Sequence, residues 1–268
     1  MKIAVVIPTF NSENTILQTV ESAIDQTFQP NEIIVVDDCS TDKTIEKIEK
    51  YITRKKTDII RIINTEHNKG PSTCRNIGWN SCNGDFVAFL DSDDLWHIQK
   101  LEIVKSILER DETIDLVGHA YSINKRFTSH YLVKDIANKD LKKVSFKSLL
   151  LRNCLQSSCV LVRRNIKERF NEKMRYNEDH ELWARLALTH KVYYLDFELT
   201  ALSRPVLTSG GLSENTLRMR LGEIRMYLNL ARQCKIMLLA TPLLVIFSFG
   251  KHIRRIVKQK RSGNNETG

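Results

Sequence analysis

The sequence predicts an α/β fold, with an open, mostly parallel sheet and helices on both of its faces. Four short apolar runs in the first third of the chain are typical of strands buried on both sides. Segments with apolar residues at helical spacing separate these runs, and such alternation is typical of parallel strands joined by helices. A chain of 268 residues is long enough to form one large or two small domains.

The first half of the chain has the more regular pattern. The apolar runs predict strands at residues 3–7, 33–36, 59–63 and 86–90. The intervening segments predict helices at residues 12–27, about 45–51 and 72–82. Pro71 stands at the start of the third helix, the position where a helix tolerates proline best.

The second half is less regular. Helices are predicted at residues 97–110 and from residue 177, strands at 115–118, 158–162 and 191–202, and a flexible loop at 209–213. Residues 119–177 otherwise show no clear period. Trp96 and Trp183 are expected in the core or in a pocket wall, because large aromatic side chains at helical spacing usually pack.

Three carboxylates, Asp91, Asp93 and Asp94, follow the fourth apolar run within four residues. Charges this close repel one another, and the repulsion grows when they leave water. A divalent cation with bound phosphate would relieve it, because Mg²⁺ and Mn²⁺ accept a few carboxylates together with substrate oxygens. A solvated acidic turn, or a helix N-cap formed by Asp94, would explain the same residues without a ligand.

Polar residues end three of the predicted strands: Pro8-Thr9, Asp37-Asp38 and Asp91-Ser92-Asp93. The carboxyl ends of parallel strands share one edge of the sheet, and ligands of open α/β sheets bind at that edge. This convergence favours a nucleotide-type site over a coincidence of caps and turns.

Five segments together resemble the family-2 glycosyltransferases of GT-A fold. They are residues 6–11, 34–42, 68–78, 89–94 and 178–183, with the sequences VIPTFN, IVVDDCSTD, NKGPSTCRNIG, FLDSDD and EDHELW. They follow the family's order and spacing, and the match covers residues 1 to about 200. The resemblance implies a GT-A, Rossmann-like open sheet, with C-terminal helices after it.

The resemblance implies a role for each matching residue. A nucleotide sugar would be bound by Pro8, Thr9, Phe10, Asp38, Arg75, Asp91 and Ser92. Asp38 would accept a hydrogen bond from the base, which suits the N3–H of uracil, and Arg75 would lie near the diphosphate. Asp93, with Asp91, would hold Mn²⁺ or Mg²⁺. Asp179 would be the general base.

The activity implied is a metal-dependent, inverting and non-processive transfer of a hexose from a nucleotide sugar to a hydroxyl of a glycan acceptor. A UDP-sugar is the favoured donor. A polyprenyl-diphosphate-linked acceptor, and a role in cell-surface polysaccharide or O-antigen synthesis, follow by analogy.

Other functions are compatible with a nucleotide site. A non-catalytic sugar-nucleotide-binding protein is one, although both Asp93 and Asp179 are present. A sugar nucleotidyltransferase would need a glycine-rich, basic loop after the first strand, and residues 8–13 hold neither glycine nor cation. A processive synthase would show several spanning helices and a Gln-x-x-Arg-Trp motif, and the sequence has neither.

Several site candidates also have a purely structural interpretation. Asp179 could cap the helix that begins near residue 177, with Glu178 as the base in its place. Arg75 could be a surface residue of its helix. His180 is more typical of a structural histidine than of a catalytic one.

The net charge of +9 lies mostly near the C-terminus. Residues 251–261 hold six Lys and Arg residues and no acid, so the rest of the chain lacks the charge expected for nucleic-acid binding. Residues 212–233 predict an amphipathic helix, and residues 236–250 carry no charge but are too few to span a bilayer. An uncharged segment followed by cations predicts an anchor on an anionic membrane surface, with a buried helix and a solvated basic end as the alternative.

These observations divide the chain. Residues 1–205 are predicted to form the glycosyltransferase domain, with a nucleotide-sugar-binding half at 1–96 and an acceptor-binding half at 97–205. Residues 206–268 are predicted to be a helical, basic extension that associates with the membrane. The six cysteines form no C-x-x-C pair or zinc spacing, and no signal-peptide pattern begins the chain, which favours a cytoplasmic protein at the inner face of the cell membrane.

Overall fold

A computed structural model describes residues 1–124, 127, 129–204, 216–234 and 237–250. Its strands are β1 (Ile3–Thr9), β2 (Glu32–Asp37), β3 (Ile60–Asn64), β4 (Phe86–Phe89), β5 (Leu95–Trp96), β6 (Leu116–Ile123), β7 (Lys142–Lys143), β8 (Val160–Arg163) and β9 (Val192–Leu202). Its helices are α1 (Ile16–Ile24), α2 (Thr44–Lys55), α3 (Pro71–Ser81), α4 (Lys100–Arg110), α5 (Val133–Ala137), α6 (Phe146–Leu151), α7 (Glu178–Thr189) and α8 (Thr216–Gln233). Residues 157–159 form a 3-10 turn, and residues 237–250, here called the C-terminal helical segment, are also helical.

All these strands join one sheet. The order is β3-β2-β1-β4-β8-β6-β9-β5, with β7 beside β9. The first four strands in this order are mutually parallel, β8 is antiparallel to both its neighbours, and β9 is parallel to β6. Because β5 and β7 are antiparallel to β9, six of the nine strands in the described residues run in one direction. The predicted α/β class with a mostly parallel sheet is confirmed.

Alternate residues of the parallel strands face two separate cores. In β1, Ala4 and Val6 belong to one core, whereas Val5 and Ile7 belong to the other. Helices α3, α6, α7 and α8 cover the first core, and α1, α2, α4 and α5 cover the second. Because both faces are covered, β1, β2 and β4 have continuous apolar runs, at residues 3–7, 33–36 and 86–89, instead of alternating with polar residues.

Trp183 and Trp96 lie in these cores, as predicted. Trp183 is fully buried and packs against Phe89 and Phe170, with ring centroids 6.4 and 5.6 Å away. Trp96 is 4% exposed, and its indole N–H donates to the carbonyl oxygen of Ser158 at 2.9 Å.

Two element boundaries differ from the prediction for identifiable reasons. Strand β6 continues to Ile123, beyond the apolar run, because polar residues there still pair with β9 across a bulge between His119 and Tyr121. Helix α4 begins only at Lys100, because the His97 ring accepts the N–H of Gln99 and holds the preceding turn. The predicted loop 209–213 and the basic run 251–261 lie outside the described residues.

The amphipathic helix predicted at 212–233 is α8. Met226, Tyr227 and Leu230 of α8 belong to the first core, so this helix packs on the same body as the sheet. In the described part of the chain, none of the helices combines the length and apolarity needed to cross a bilayer.

Lys100 is a buried lysine behind the sheet edge that carries the acidic residues. Its side chain is fully buried, its Nζ donates to the carbonyl oxygen of Ser158 at 2.7 Å, and it stands 3.6 Å from the centroid of the Trp96 ring. Burial lowers the pKa of the Lys100 ammonium well below its usual value.

We expect this lysine to make stability depend on pH. Between the lowered pKa and the unfolded value of about 10.5, the unfolded chain binds more protons than the folded one, so the free energy of unfolding rises with pH in that window. Lys100→Met should flatten the rise, as measured by urea unfolding at several pH values up to about 10. The control is Lys142→Met, since the Lys142 side chain is 65% exposed. An unchanged slope in Lys100→Met would show that other groups cause the dependence.

Candidate active site

A cleft of about 950 Å³ opens at the carboxyl ends of β1, β2 and β4. All nine predicted site residues line it: Pro8, Thr9, Phe10, Asp38, Arg75, Asp91, Ser92, Asp93 and Asp179. The volume is in the range typical of small-molecule sites. The structure therefore brings together residues that are up to 171 positions apart in the sequence.

The loop after β1 forms one wall of the cleft. Asn11 adopts a φ of 47°, and its N–H donates to Ser40 Oγ at 2.9 Å, which ties this loop to the loop after β2. Thr9 is 3% exposed, and its hydroxyl has no hydrogen-bond partner among the described residues. Phe10 is 47% exposed. The wall thus contains a buried hydroxyl without a hydrogen-bond partner and an open aromatic ring.

Asp38 is buried and holds the neighbouring loop. Its two carboxylate oxygens accept the backbone N–H groups of Lys69 and Gly70 at 2.7 and 2.8 Å. Gly70 adopts a φ of 87°, a conformation that favours glycine, and this lets the chain turn back onto the carboxylate before α3 begins. Asp38 therefore fixes the start of α3, in addition to lining the cleft.

Arg75 extends from α3 into the floor of the cleft. Helix α3 packs so closely on β1 that a Cβ added to Gly78 would stand 2.3 Å from Val6 Cγ1. The guanidinium is 5% exposed and bonds Asp91 Oδ1 at 2.7 Å and Glu178 Oε1 at 3.2 Å. These two carboxylates raise the pKa of Arg75 despite burial, so it stays a cation. The interpretation of Arg75 as a surface helix residue is wrong.

Residues 91–93, which follow β4 and Leu90, have distinct environments. Asp91 pairs with Arg75, and the Ser92 hydroxyl lies 2.7 Å from Ser12 Oγ in the loop after β1. Asp93 Oδ2 accepts bonds from Ser203 Oγ and Arg204 Nη2, both at 2.8 Å. Each carboxylate thus meets a different part of the fold.

Asp94 also lines the cleft and is buried, with 5% of its surface exposed. Its carboxylate accepts the Ser158 hydroxyl at 2.6 Å and the backbone N–H of Ser203 at 3.0 Å. Burial, with Asp91 and Asp93 nearby, raises the pKa of the Asp94 carboxyl to about 7. Since α4 begins at Lys100, the interpretation of Asp94 as a helix N-cap is wrong.

Asp179 faces the cleft from the first turn of α7. Its two oxygens accept Asn153 Nδ2 at 3.1 Å and the backbone N–H of His180 at 2.6 Å. Desolvation raises the pKa of the Asp179 carboxyl above its ordinary value. The His180 ring bonds the carbonyl oxygen of Leu149, so this histidine has the structural role that the sequence predicts.

Sequence reasoning missed Asn153, Ser203 and Arg204. Asn153 lies in the irregular stretch 119–177 and orients Asp179. Ser203 and Arg204 directly follow β9, which runs in the same direction as β1 and so ends at the same edge of the sheet. The rule that polar residues after parallel strands meet at this edge would have found both, had β9 been assigned as a parallel strand.

The donor atoms of the cleft fit a hard cation carried by a phosphate ligand. Among the described residues, no three His, Cys, Asp or Glu side chains are grouped so that they could hold a metal alone. Asp91 and Asp93 nevertheless bring two carboxylates to one cleft. Mg²⁺-type ions are commonly held by one or two carboxylates together with substrate phosphates and water. Asp93 would have to exchange its contact with Arg204 for the ion.

Comparison with known sequences agrees with this geometry. A sequence model of the family described as glycosyl transferase family 2 matches residues 4–171. The chain is 29% identical over 182 residues to the Escherichia coli UDP-Glc:alpha-D-GlcNAc-diphosphoundecaprenol beta-1,3-glucosyltransferase WfgD, covering 68% of each chain. It is 36% identical over 119 residues to the putative teichuronic acid biosynthesis glycosyltransferase TuaG of Bacillus subtilis, covering 44% of this chain and 46% of that one.

Solved structures share the fold. TarS residues 1–349 from S. aureus, in complex with UDP, superpose with a TM-score of 0.63 at 24% identity, over 85% of this chain and 66% of that one. The mannosyltransferase PcManGT from Pyrobaculum calidifontis, in complex with GDP-Man and Mn²⁺, gives a TM-score of 0.66 at 17% identity, over 93% of this chain and 73% of that one. The neighbours are GT-A glycosyltransferases, which confirms the GT-A fold.

Proposed function

This chain belongs to glycosyl transferase family 2, and we propose that it moves a hexose from a UDP-sugar to a hydroxyl of a lipid-linked glycan, with inversion at the anomeric carbon. One observation carries the proposal: a single cleft contains two separate acidic groups, Asp91 with Asp93 after β4, and Asp179 on α7. The reaction needs both, since one group must manage the leaving diphosphate while the other activates the acceptor.

The wall formed by the β1 and β2 loops would bind the nucleotide. The exposed ring of Phe10 offers a face for the base, and the unpaired hydroxyl of Thr9 offers one hydrogen bond. Asp38 would accept the N3–H of uracil with a lone pair that its bonds to Lys69, Gly70 and Thr65 leave free. Pro8 and Ser92 complete this wall.

Asp93 and Asp91 would hold Mn²⁺ or Mg²⁺ together with the diphosphate. When bound, the ion would stabilise the negative charge that develops on the leaving nucleoside diphosphate. Arg75 would fix the orientation of Asp91 through their 2.7 Å bond, and its retained positive charge would act on the diphosphate. Arg204 would be released from Asp93 and so become available to the phosphates.

Asp179 would take the proton of the acceptor hydroxyl. Its raised pKa makes it a stronger base than an exposed aspartate, and Asn153 holds the carboxylate in one orientation. Direct attack by the activated hydroxyl from the face opposite the diphosphate inverts the anomeric configuration. Glu178, paired with Arg75, is already committed to a buried ion pair.

The acceptor side and location are proposed by similarity. The E. coli relative is named for transfer to a diphosphoundecaprenol-linked GlcNAc, so a polyprenyl-diphosphate-linked acceptor and a role in cell-surface polysaccharide (O-antigen type) synthesis are proposed for this chain. We propose a non-processive enzyme, peripheral at the inner face of the cell membrane, with its catalytic domain at residues 1–205 and a membrane-associating extension at 206–268.

The test of this proposal is binding of UDP, GDP and CDP, each with and without Mn²⁺, measured by calorimetry. We expect UDP to bind best and to need the metal. A turnover screen of UDP-hexoses with a polyprenyl-diphosphate sugar, followed by NMR of the new anomeric centre, then identifies donor and stereochemistry. A preference for GDP would overturn the role of Asp38, and nucleotide binding without turnover of any donor would favour the non-catalytic binding protein.

A further inference from the structure

Helix α8 turns its leucine stripe outward. Leu217, Leu221 and Leu228 recur at spacings that place them on one side of a helix, and they are 58%, 57% and 50% exposed. The opposite side of α8 provides the packing, with Met226 and Tyr227 fully buried. An amphipathic helix on a protein surface normally buries its apolar stripe. The leucine stripe of α8 is exposed instead, and no described residue covers it.

The C-terminal helical segment also turns large apolar side chains outward. Its exposed large side chains are Leu238, Leu239, Leu243, Ile246, Phe247 and Phe249. Residues 237–250 contain no charged residue. The segment therefore presents a wholly uncharged outer side, while Met237 and Ser248 pack inward.

Exposed apolar side chains are concentrated in these two elements. Nine of the 16 large exposed hydrophobic residues in the described part of the chain lie between residues 217 and 249. We call these nine, the three leucines of α8 and the six residues of the C-terminal helical segment, the apolar face. Scattered exposed leucines are ordinary, but a concentration of this kind marks an interaction surface.

The apolar face is part of the folded body. The Tyr227 hydroxyl bonds the carbonyl oxygen of Leu150 and the carboxylate of Glu223, both at 2.9 Å. Ser248 Oγ donates to Glu223 at 2.7 Å, which clamps the C-terminal helical segment along α8. The outward side chains are thus held on a fixed scaffold.

The surrounding charge identifies the occupant. Arg225 and Arg232 are exposed on α8, seven residues apart and therefore on one side of the helix, whereas its only acid, Glu223, is buried. In the sequence, residues 251–261 then add six cations and no acid. The exposed charged side chains of the described part of α8 are therefore cations, and apolar side chains with such neighbours complement an anionic lipid surface. A second copy of the chain would bring the same cations against each other.

We propose that the apolar face seats on an anionic lipid bilayer, with α8 and the C-terminal helical segment lying in the interface. A helix of 14 residues, 237–250, is about 21 Å long, too short for a hydrocarbon core of about 30 Å. Met219 and Arg220 of α8 line the cleft that contains Asp179. Docking of α8 on the bilayer therefore brings the part of the cleft near Asp179 close to the membrane. This orientation suits the lipid-linked acceptor of the proposed function, on which that last point rests.

The test is sedimentation of the full chain with vesicles of phosphatidylcholine alone or with about one quarter phosphatidylglycerol. We expect binding to the anionic vesicles, a loss of about 10-fold or more in Leu217→Ser/Leu221→Ser/Leu228→Ser, and a smaller loss, confined to anionic vesicles, in Arg225→Gln/Arg232→Gln. The matched control is Leu132→Ser/Leu188→Ser, which changes leucines that are 74% and 37% exposed elsewhere on the surface.

Metal-dependent UDP binding, measured on the same variants, separates this proposal from the proposed function. We expect it to be unchanged, which also shows that each variant is folded. The proposal that the apolar face binds lipid is overturned if the wild-type protein does not bind anionic vesicles, or if the leucine variant binds them as well as wild type. Either result holds whatever the outcome of the UDP titration. A wild-type dimer that the leucine substitutions convert to a monomer would assign the apolar face to a second copy instead.

Discussion

Asp179→Asn should lower kcat for sugar transfer by about 10²–10⁴-fold while leaving UDP binding unchanged. The substitution keeps the size of the side chain, and its amide oxygen can still accept one of the two bonds, from Asn153 and His180, that position the carboxylate. It removes the only property the reaction needs from Asp179, the ability to take a proton. Single-turnover transfer and calorimetric UDP titration measure the two quantities separately.

The pH profile gives a second signature of this base. Because the pKa of Asp179 is raised, we expect the acid limb of kcat to lie above the value of about 3.9 for a free aspartate and to disappear in Asp179→Asn. Asp196→Asn is the control, since its side chain is 63% exposed and pairs with Lys142 outside the cleft. Near-normal kcat in Asp179→Asn would exclude Asp179 as the base and direct attention to Glu178.

Asp93→Asn should abolish the metal dependence of UDP binding and reduce transfer by about 10²-fold or more. An amide binds Mn²⁺ and Mg²⁺ far more weakly than a carboxylate, and Asp93 is the acid whose carboxylate faces Ser203 and Arg204 at the cleft. Mn²⁺ binding followed by electron paramagnetic resonance, with and without UDP, reports the loss directly and does not depend on turnover.

Asp135→Asn, an exposed residue of α5 outside the cleft, is the matched control for the charge change. Arg204→Gln removes the partner of Asp93 and keeps the carboxylate. If Arg204 competes with the ion, this variant should bind Mn²⁺ more tightly than wild type when UDP is absent. Metal-dependent UDP binding that survives in Asp93→Asn would assign the ion to other ligands.

Much of the fold could be predicted from local patterns. The continuous apolar runs that became β1, β2 and β4 indicated strands buried on both faces, and β1 is indeed buried at all seven positions. The β-α alternation then predicted which strand ends share an edge, and so placed Thr9, Asp38 and residues 91–93 at one site. Arg75 and Asp179 were assigned to that site only by the family resemblance. The elements within residues 119–177 could not be predicted, because α5, β7 and α6 are too short to show a period.

The pairing of the charged side chains was decided only by the tertiary structure. Arg75 meets Glu178 across 103 positions, Asp93 meets Arg204 across 111, and no local pattern encodes such contacts. These ion pairs matter to the fold because a charged group that is removed from water needs a partner of opposite charge. The sequence shows which residues carry charge, and the packing of α3, α7 and the end of β9 determines which of them pair.

The same division explains α8. By itself, the sequence determined that Leu217, Leu221 and Leu228 share one side of a helix, because a helical period of 3.6 residues is a local property. It could not determine that this side turns outward, since Met226, Tyr227 and Leu230 on another side offered an equally apolar surface. The bonds of Tyr227 and Glu223 to Leu150 and Ser248 select that second side for the core. Periodicity therefore fixes which side chains lie together, and long-range contacts decide which way they face.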